Sequence, residues 1–311
     1  MLSRTADHLY WMSRYNERAE NLARLLDAHY RLSLLPRPPE AVRQGWAATL
    51  TSLGTMGAYR ERHGDVSPAV ATRFLAFERD HPGSILACLR AARENARAVR
   101  GTLPSEAWET INATWLEARG HGRGTEPPPI GEFVEWVKYR AHLTRGVLVG
   151  TMLRDEAYSF SRIGTFIERA DATTRILESR WQDGELGSER TAAEASEWAV
   201  LLRALSAFEV YRKVYRDNVT PTQVTELLLL NDSMPSSVHR CMADLYDNLR
   251  AVRNAQSAET ERRAGELHAQ LRFGRLEEMC ADGVTVFLDR CQRRLNELAA
   301  GIARDFLVPG A

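Results

Sequence analysis

The chain predicts an all-α fold of about twelve helices, arranged as two pseudo-repeated bundles docked into one globule. Three observations carry that expectation. Apolar residues recur at three- and four-residue spacing, with helix starts and stops between the runs. No stretch alternates apolar and polar residues as a strand requires. The pattern of the first 150 residues recurs in the remainder.

In order, the first set of predicted helices covers 3–35, 40–62, 68–79, 84–101, 105–119 and 131–149. Pro36-Arg37-Pro38-Pro39 stops the first of them. Ser67-Pro68 reads as a cap followed by proline at the first helical position, and Ser105 after Pro104 as the next cap. The second set covers 152–182, 188–216, 221–231, 236–255, 258–273 and 275–307, with Gly184 as a stop and Thr220-Pro221 as a start. A shift of 151 residues aligns Met1–Asp27 with Met152–Glu178 and yields eight identities, among them Glu17/Glu168, Arg18/Arg169, Ala19/Ala170 and Arg24/Arg175. A shift of 152 aligns Trp46 with Trp198 and Tyr59 with Tyr211. A shift of 153 aligns Cys88 with Cys241, Asn95 with Asn248 and Arg97 with Arg250. The expected organisation is a first helical repeat over 1–150 and a second over 151–311, forming one compact unit.

Composition narrows the function. Apolar residues make up 44% and charged residues 26%, which excludes long disorder and low-complexity structure. Basic and acidic residues balance at 41 each, so no global field draws the chain to nucleic acid or anionic lipid. Lys138 and Lys213 are the only lysines and 39 residues are arginine, a bias that GC-rich coding explains without a function. Cys88, Cys241, Cys280 and Cys291 lack the spacing of a redox or zinc pair. Arg4 and Asp7 interrupt any apolar signal core, and no apolar run approaches the roughly 18 residues of a membrane span. The expectation is a cytoplasmic protein that binds neither nucleic acid nor membrane.

The repeat selects residues that both halves keep: the Glu17-Arg18-Ala19-Glu20 and Glu168-Arg169-Ala170-Asp171 motifs, Asn95 and Arg97 with Asn248 and Arg250, and the two tryptophans. The tryptophans read as core, and Arg97, Arg100, Arg250 and Arg253 as solvated surface or a patch for an anionic partner. Glu20 with Arg24, and Asp171 with Arg175, have the four-residue spacing of a surface pair. Glu17 and Arg18 point about 100° apart on a helix and cannot pair with each other. Three readings stay open for them. They pair across the repeats, Glu17 with Arg169 and Glu168 with Arg18, and fix the docking. Or Arg18 and Arg14 hold a carboxylate-bearing ligand. Or Glu17 and Glu168 perform acid–base catalysis.

Along the first helix, Leu9, Met12, Tyr15, Ala19, Leu22 and Leu26 form an apolar stripe bordered by Arg18. Tyr10, Arg14, Glu17 and Asn21 line the opposite face, whereas Ser161, Thr165, Glu168 and Ala172 stand at the aligned positions. The asymmetry marks Tyr10, Arg14, Glu17, Arg18 and Asn21 as the candidate ligand- or partner-binding stripe. No metal or cofactor is expected. Gly-x-x-x-x-Gly-Lys-Ser/Thr, Gly-x-Gly-x-x-Gly, His-Glu-x-x-His and Gly-x-Ser-x-Gly are all missing. Gly120-His121-Gly122-Arg123-Gly124 before Pro127-Pro128-Pro129 reads as a loop between repeats.

The opening Leu2-Ser3-Arg4-Thr5-Ala6-Asp7-His8-Leu9-Tyr10-Trp11-Met12-Ser13-Arg14-Tyr15, with Glu17-Arg18-Ala19-Glu20-Asn21 and Arg24-Leu25-Leu26-Asp27, resembles the alpha-E family of bacterial helical proteins. The resemblance extends through Glu94–Arg97, Phe160–Ala170 and Leu227–Ser237, with Tyr158 where a tryptophan is usual. It implies an all-helical protein encoded with or fused to circularly permuted ATP-grasp ligases, often near transglutaminase-like proteins. The function it implies is an accessory or binding subunit of an amide ligase for peptide synthesis or modification. The alternative is an enzyme of the same pathway that uses the Glu-Arg motifs.

Overall fold

The computed structural model describes residues 1–121, 128–181 and 192–308. Gly184 and residues 122–127 of the glycine–proline segment lie outside the described residues. The described residues form fifteen helices. They are α1 (Ser3–Ser33), α2 (Pro39–Ser52), α3 (Met56–His63), α4 (Pro68–Phe77), α5 (Ile85–Ala98), α6 (Ser105–His121), α7 (Ile130–Thr151), α8 (Glu156–Arg180), α9 (Ala192–Ala204), α10 (Phe208–Tyr215), α11 (Pro221–Leu230), α12 (Val238–Ala251), α13 (Ala258–Phe273), α14 (Leu276–Met279) and α15 (Val284–Phe306).

Fifteen replaces the expected twelve because three predicted segments are each split in two. Every split coincides with a positive φ: Gly54 at 69°, Ser206 at 54° and Gly283 at 107°. A residue in that region reverses the chain and ends a helix, a conformation that glycine adopts without strain. At Gly54 the turn closes with Gly54 N–H donating to Thr51 O and Thr55 N–H to Leu50 O. At Ser206 the same bonds run from Ser206 to Arg203 and from Ala207 to Leu202. Serine carries no sequence signal for this conformation, so the 188–216 segment read as continuous.

Two of the expected caps also change. Ser67 occupies the cap position of α4, but its hydroxyl makes no capping bond, and Ser105 is the first helical residue rather than a cap. Capping hydroxyls stand elsewhere: Ser84 accepts from Ala87 N–H, Ser237 from Arg240 N–H and Thr220 from Gln223 N–H. Asp155 caps α8 through Tyr158 N–H, which is why that helix begins at Glu156 rather than at 152.

Helix α1 lies at the centre. It packs along α8, α5 and α7, and also touches α4, α9 and α15. The larger apolar core joins the first turns of α1 to α8 and α11–α15, so it runs across residue 150. A second core collects the middle of α1 with α2–α5 and α7. With neighbours all round, α1 has no continuous solvent face. Tyr10 is 1% exposed and Glu17 3%. The stripe expected opposite the apolar residues is therefore an inward face turned to α8, with polar groups where a two-faced helix would carry water.

Candidate functional site

The contact between α1 and α8 begins at a close backbone approach. Gly164 lies against the carbonyl of Tyr10, and a Cβ there would overlap that oxygen. Beside it, Ser13 and Ser161 share a 2.7 Å hydrogen bond between their hydroxyls. From this crossing the helices run on to the two Glu-Arg motifs.

Each glutamate receives the arginine of the other motif in a two-pronged bond. Arg18 Nε donates to Glu168 Oε1 at 2.6 Å and its Nη2 to Oε2 at 2.9 Å. Arg169 Nε donates to Glu17 Oε1 at 2.7 Å and its Nη2 to Oε2 at 3.0 Å. A second guanidinium completes each site. Arg14 Nε reaches Glu168 Oε2 at 2.8 Å, and Arg145 of α7 reaches Glu17 Oε2 at 3.1 Å. Arg14 also donates to the Tyr10 hydroxyl at 3.1 Å.

The electrostatics follow from burial. Burial alone raises the pKa of a carboxyl, because it penalises the charged form. At Glu17 that effect is outweighed by Arg169 and then Arg145, and the group is held well below the usual carboxylate range. At Glu168 the arginines are Arg14 and Arg18, and the direction is the same. Both glutamates are thus ionised at neutral pH with both oxygens engaged. Beneath the clasp sit two thiols. Burial pushes Cys88 and Cys241 up to about 12, and their Sγ atoms lie 3.9 and 3.7 Å from the carbonyls of Pro82 and Pro235.

The four-residue pairs are not surface pairs. Glu20 is buried and bonds Arg24 and Arg145, while Arg24 continues to the carbonyl of Ala204 at 3.0 Å. Asp171 takes Arg175 Nε at 2.8 Å and Gln292 Nε2 at 2.5 Å, and Arg175 continues to the carbonyl of Ser52. Elsewhere, Trp46 and Trp198 are buried, Trp46 stacked on His29 at 3.9 Å. Arg97, Arg100, Arg250 and Arg253 are exposed. Asn95 meets His8 of α1 at 2.9 Å.

One side of this clasp opens into a cavity of about 240 Å³ between α1, α8, α4 and the α2–α3 turn. Of the five stripe residues, Arg18 and Asn21 line it, together with Glu168; Tyr10, Arg14 and Glu17 do not. Glu17 instead borders a space of about 20 Å³ with Arg145 and Arg162, room for about one water. Asp171, Arg175, Ser52 and Leu53 also line the cavity, and sequence reasoning assigned none of them to a site. Arg145 was missed too, since it lies on another helix and outside any repeated motif. Among the described residues no group of histidines, cysteines or carboxylates could hold a metal ion, and no helix is long and apolar enough to cross a membrane.

An all-helical chain knitted by two reciprocal glutamate–arginine locks is the class that fold and site define. The chain belongs to the Alpha-E family, whose model, described as a predicted alpha-helical domain with a conserved ER motif, matches residues 1–307. Among curated proteins it is similar to the uncharacterized proteins Mb2597 of Mycobacterium bovis and MT2643 of Mycobacterium tuberculosis. Each is 28% identical over 327 aligned positions, covering 96% of this chain and 35% of the relative. The chain thus spans about a third of the length of the relatives it matches. No solved structure matches it.

Proposed function

We propose that the chain is a binding module: the accessory component of a circularly permuted ATP-grasp amide ligase system for peptide synthesis or modification, engaging the ligase, its peptide substrate or both. The observation that carries this reading is the state of the two motif glutamates. A general acid must hold a proton near neutral pH, and a general base must be basic enough to take one. Glu17 and Glu168 are held ionised and weakly basic, each with both oxygens bonded to arginine. Such groups hold helices in register and do no proton chemistry, which favours binding over the alternative of an acid–base enzyme.

The reading includes two repeats, 1–150 and 151–311, derived by duplication and docked through α1 and α8. The matched turns at Gly54 and Ser206 and the matched caps at Ser84 and Ser237 support it. The four cysteines are free thiols and all buried, which suits a cytoplasmic setting. Nucleic acid and membrane have no part in this reading.

The test is titration of the purified chain with the ATP-grasp ligase encoded beside it, followed by ADP release with and without the chain. A complex and faster release are expected, with no tight ATP binding by the chain alone, which lacks a glycine-rich phosphate loop. Turnover by the chain alone that Glu17→Gln and Glu168→Gln abolish without unfolding it overturns the reading.

A further inference from the structure

The cavity beside the clasp has an uneven inventory of hydrogen-bonding groups. Its carboxylates and the Ser52 carbonyl are already engaged. Both Glu168 oxygens take arginine, and both Asp171 oxygens take Arg175 and Gln292. The Ser52 carbonyl takes Arg175, while the Ser52 and Thr55 hydroxyls donate to the carbonyls of Thr49 and Leu50. Donors are left over. Arg18 bonds through Nε and Nη2, and Arg175 through Nε and Nη1, so Arg18 Nη1 and Arg175 Nη2 meet no acceptor among the described residues. Asn21 Nδ2 is shielded from solvent and likewise has none.

The charges lining the cavity balance, Arg18 and Arg175 against Glu168 and Asp171, so selection for an anion rests on the unengaged guanidinium N–H groups rather than on net charge. Leu22, Leu25, Leu53, Leu75 and Ile176 line the same cavity and supply its apolar surface. At about 240 Å³ the space is below the roughly 300–1,000 Å³ of sites for drug-sized ligands. Its occupant is a small molecule or a chain end, not a folded segment. Arg18 keeps 31% of its side chain exposed, which leaves the charged end reachable.

We infer that this cavity binds a small organic carboxylate with a branched apolar body, as the C-terminal residue of a peptide or an acylated aliphatic amino acid presents. Arg18 and Arg175 receive the carboxylate, Asn21 donates to an oxygen of the ligand, and the leucine–isoleucine wall takes the side chain. The inference rests on the binding role proposed above and gives it a ligand class.

Calorimetric titration with N-acetyl-L-leucine tests it, with N-acetyl-L-leucinamide and inorganic phosphate as controls. The acid is expected to bind in the millimolar range or tighter, with the neutral amide and phosphate each weaker by about tenfold or more. Asn21→Ala weakens the acid about three- to tenfold. Ala172→Leu, which fills the cavity from α8, abolishes binding with an unchanged melting temperature. Should Ala172→Leu fail to fold, the acid–amide comparison on the wild-type chain decides alone. Equal affinity for acid and amide, phosphate binding as tight as the acid, or no saturable binding at millimolar acid overturns the site. The two proposals fail separately. Ligase binding without carboxylate binding removes the cavity's role and keeps the module's, whereas carboxylate binding without any ligase complex removes the ligase.

Discussion

The two Glu-Arg locks use the same residues and are finished differently. Around Glu168 the second arginine, Arg14, comes from the same helix as the first. Around Glu17 it comes from α7, as Arg145, which also reaches Glu20. The surroundings diverge as well. On the Glu17 side Thr173 donates from its hydroxyl to the carbonyl of Ser236 at 2.8 Å, tying α8 to the entry of α12. The positions aligned with that pair are Leu22 and Gly83, both of which line the cavity beside Glu168. The shared residues hold the helices together. The unshared ones decide where space is left.

Five measurements would break or sharpen that comparison. Arg18→Ala and Arg169→Ala each strip a buried glutamate of its two-pronged partner and should cost about 3–5 kcal/mol in denaturant unfolding. If the locks are equivalent, the two losses match; a loss at one alone means that Arg14 and Arg145 compensate unequally. Combining Glu17→Gln with Arg169→Ala should lose less than the sum of the single losses, and strict additivity would mean no coupling across the crossing. Gly164→Ala forces a methyl into the Tyr10 carbonyl and should destabilise by about 1–3 kcal/mol, whereas Ser13→Ala at the aligned position loses only the hydroxyl bond, about 0.5–1.5 kcal/mol.

The fourth measurement concerns acid. His29 is lowered to about 3 by burial, with Arg180 and Arg37 adding to it, so the folded chain keeps it neutral while the unfolded chain protonates it near 6.5. Between those values the unfolded state binds the extra proton, and stability should fall by about 1.4 kcal/mol per pH unit as pH drops. His29→Gln should flatten that slope above pH 5. Glu17 and Glu168, held low, contribute stability that persists above the unfolded carboxylate value and disappears only as pH falls below it. An unchanged slope in His29→Gln would place the titration elsewhere. The smallest effect belongs to Thr165→Ala, within about 0.5 kcal/mol, because among the described residues Thr165 bonds only the Ser161 carbonyl of its own helix.

Helix positions were legible in the sequence because periodicity and proline report local geometry. The breaks were not, because Ser206 holds φ 54° through its surroundings rather than its residue type. The polar face of the first helix was misread for a related reason. An amphipathic pattern assumes water on the polar side, and nothing local says that Arg14, Glu17 and Tyr10 instead meet another helix. The cavity was the least legible feature. Ser52, Leu75 and the Asp171–Arg175 pair come from three helices, α2, α4 and α8, so only the packing of those helices assembles them.

The thiols under the clasp give the molecule a built-in gauge. Cys88 and Cys241 are fully covered and, at about 12, almost wholly protonated, so neither reacts with an alkylating reagent while the helices stay closed. Each aligned cysteine sits beneath one lock, which makes its rate of labelling a local clock for the opening of that side. Mass spectrometry of the two alkylated peptides over time would then time the two openings independently, in a protein carrying no added probe.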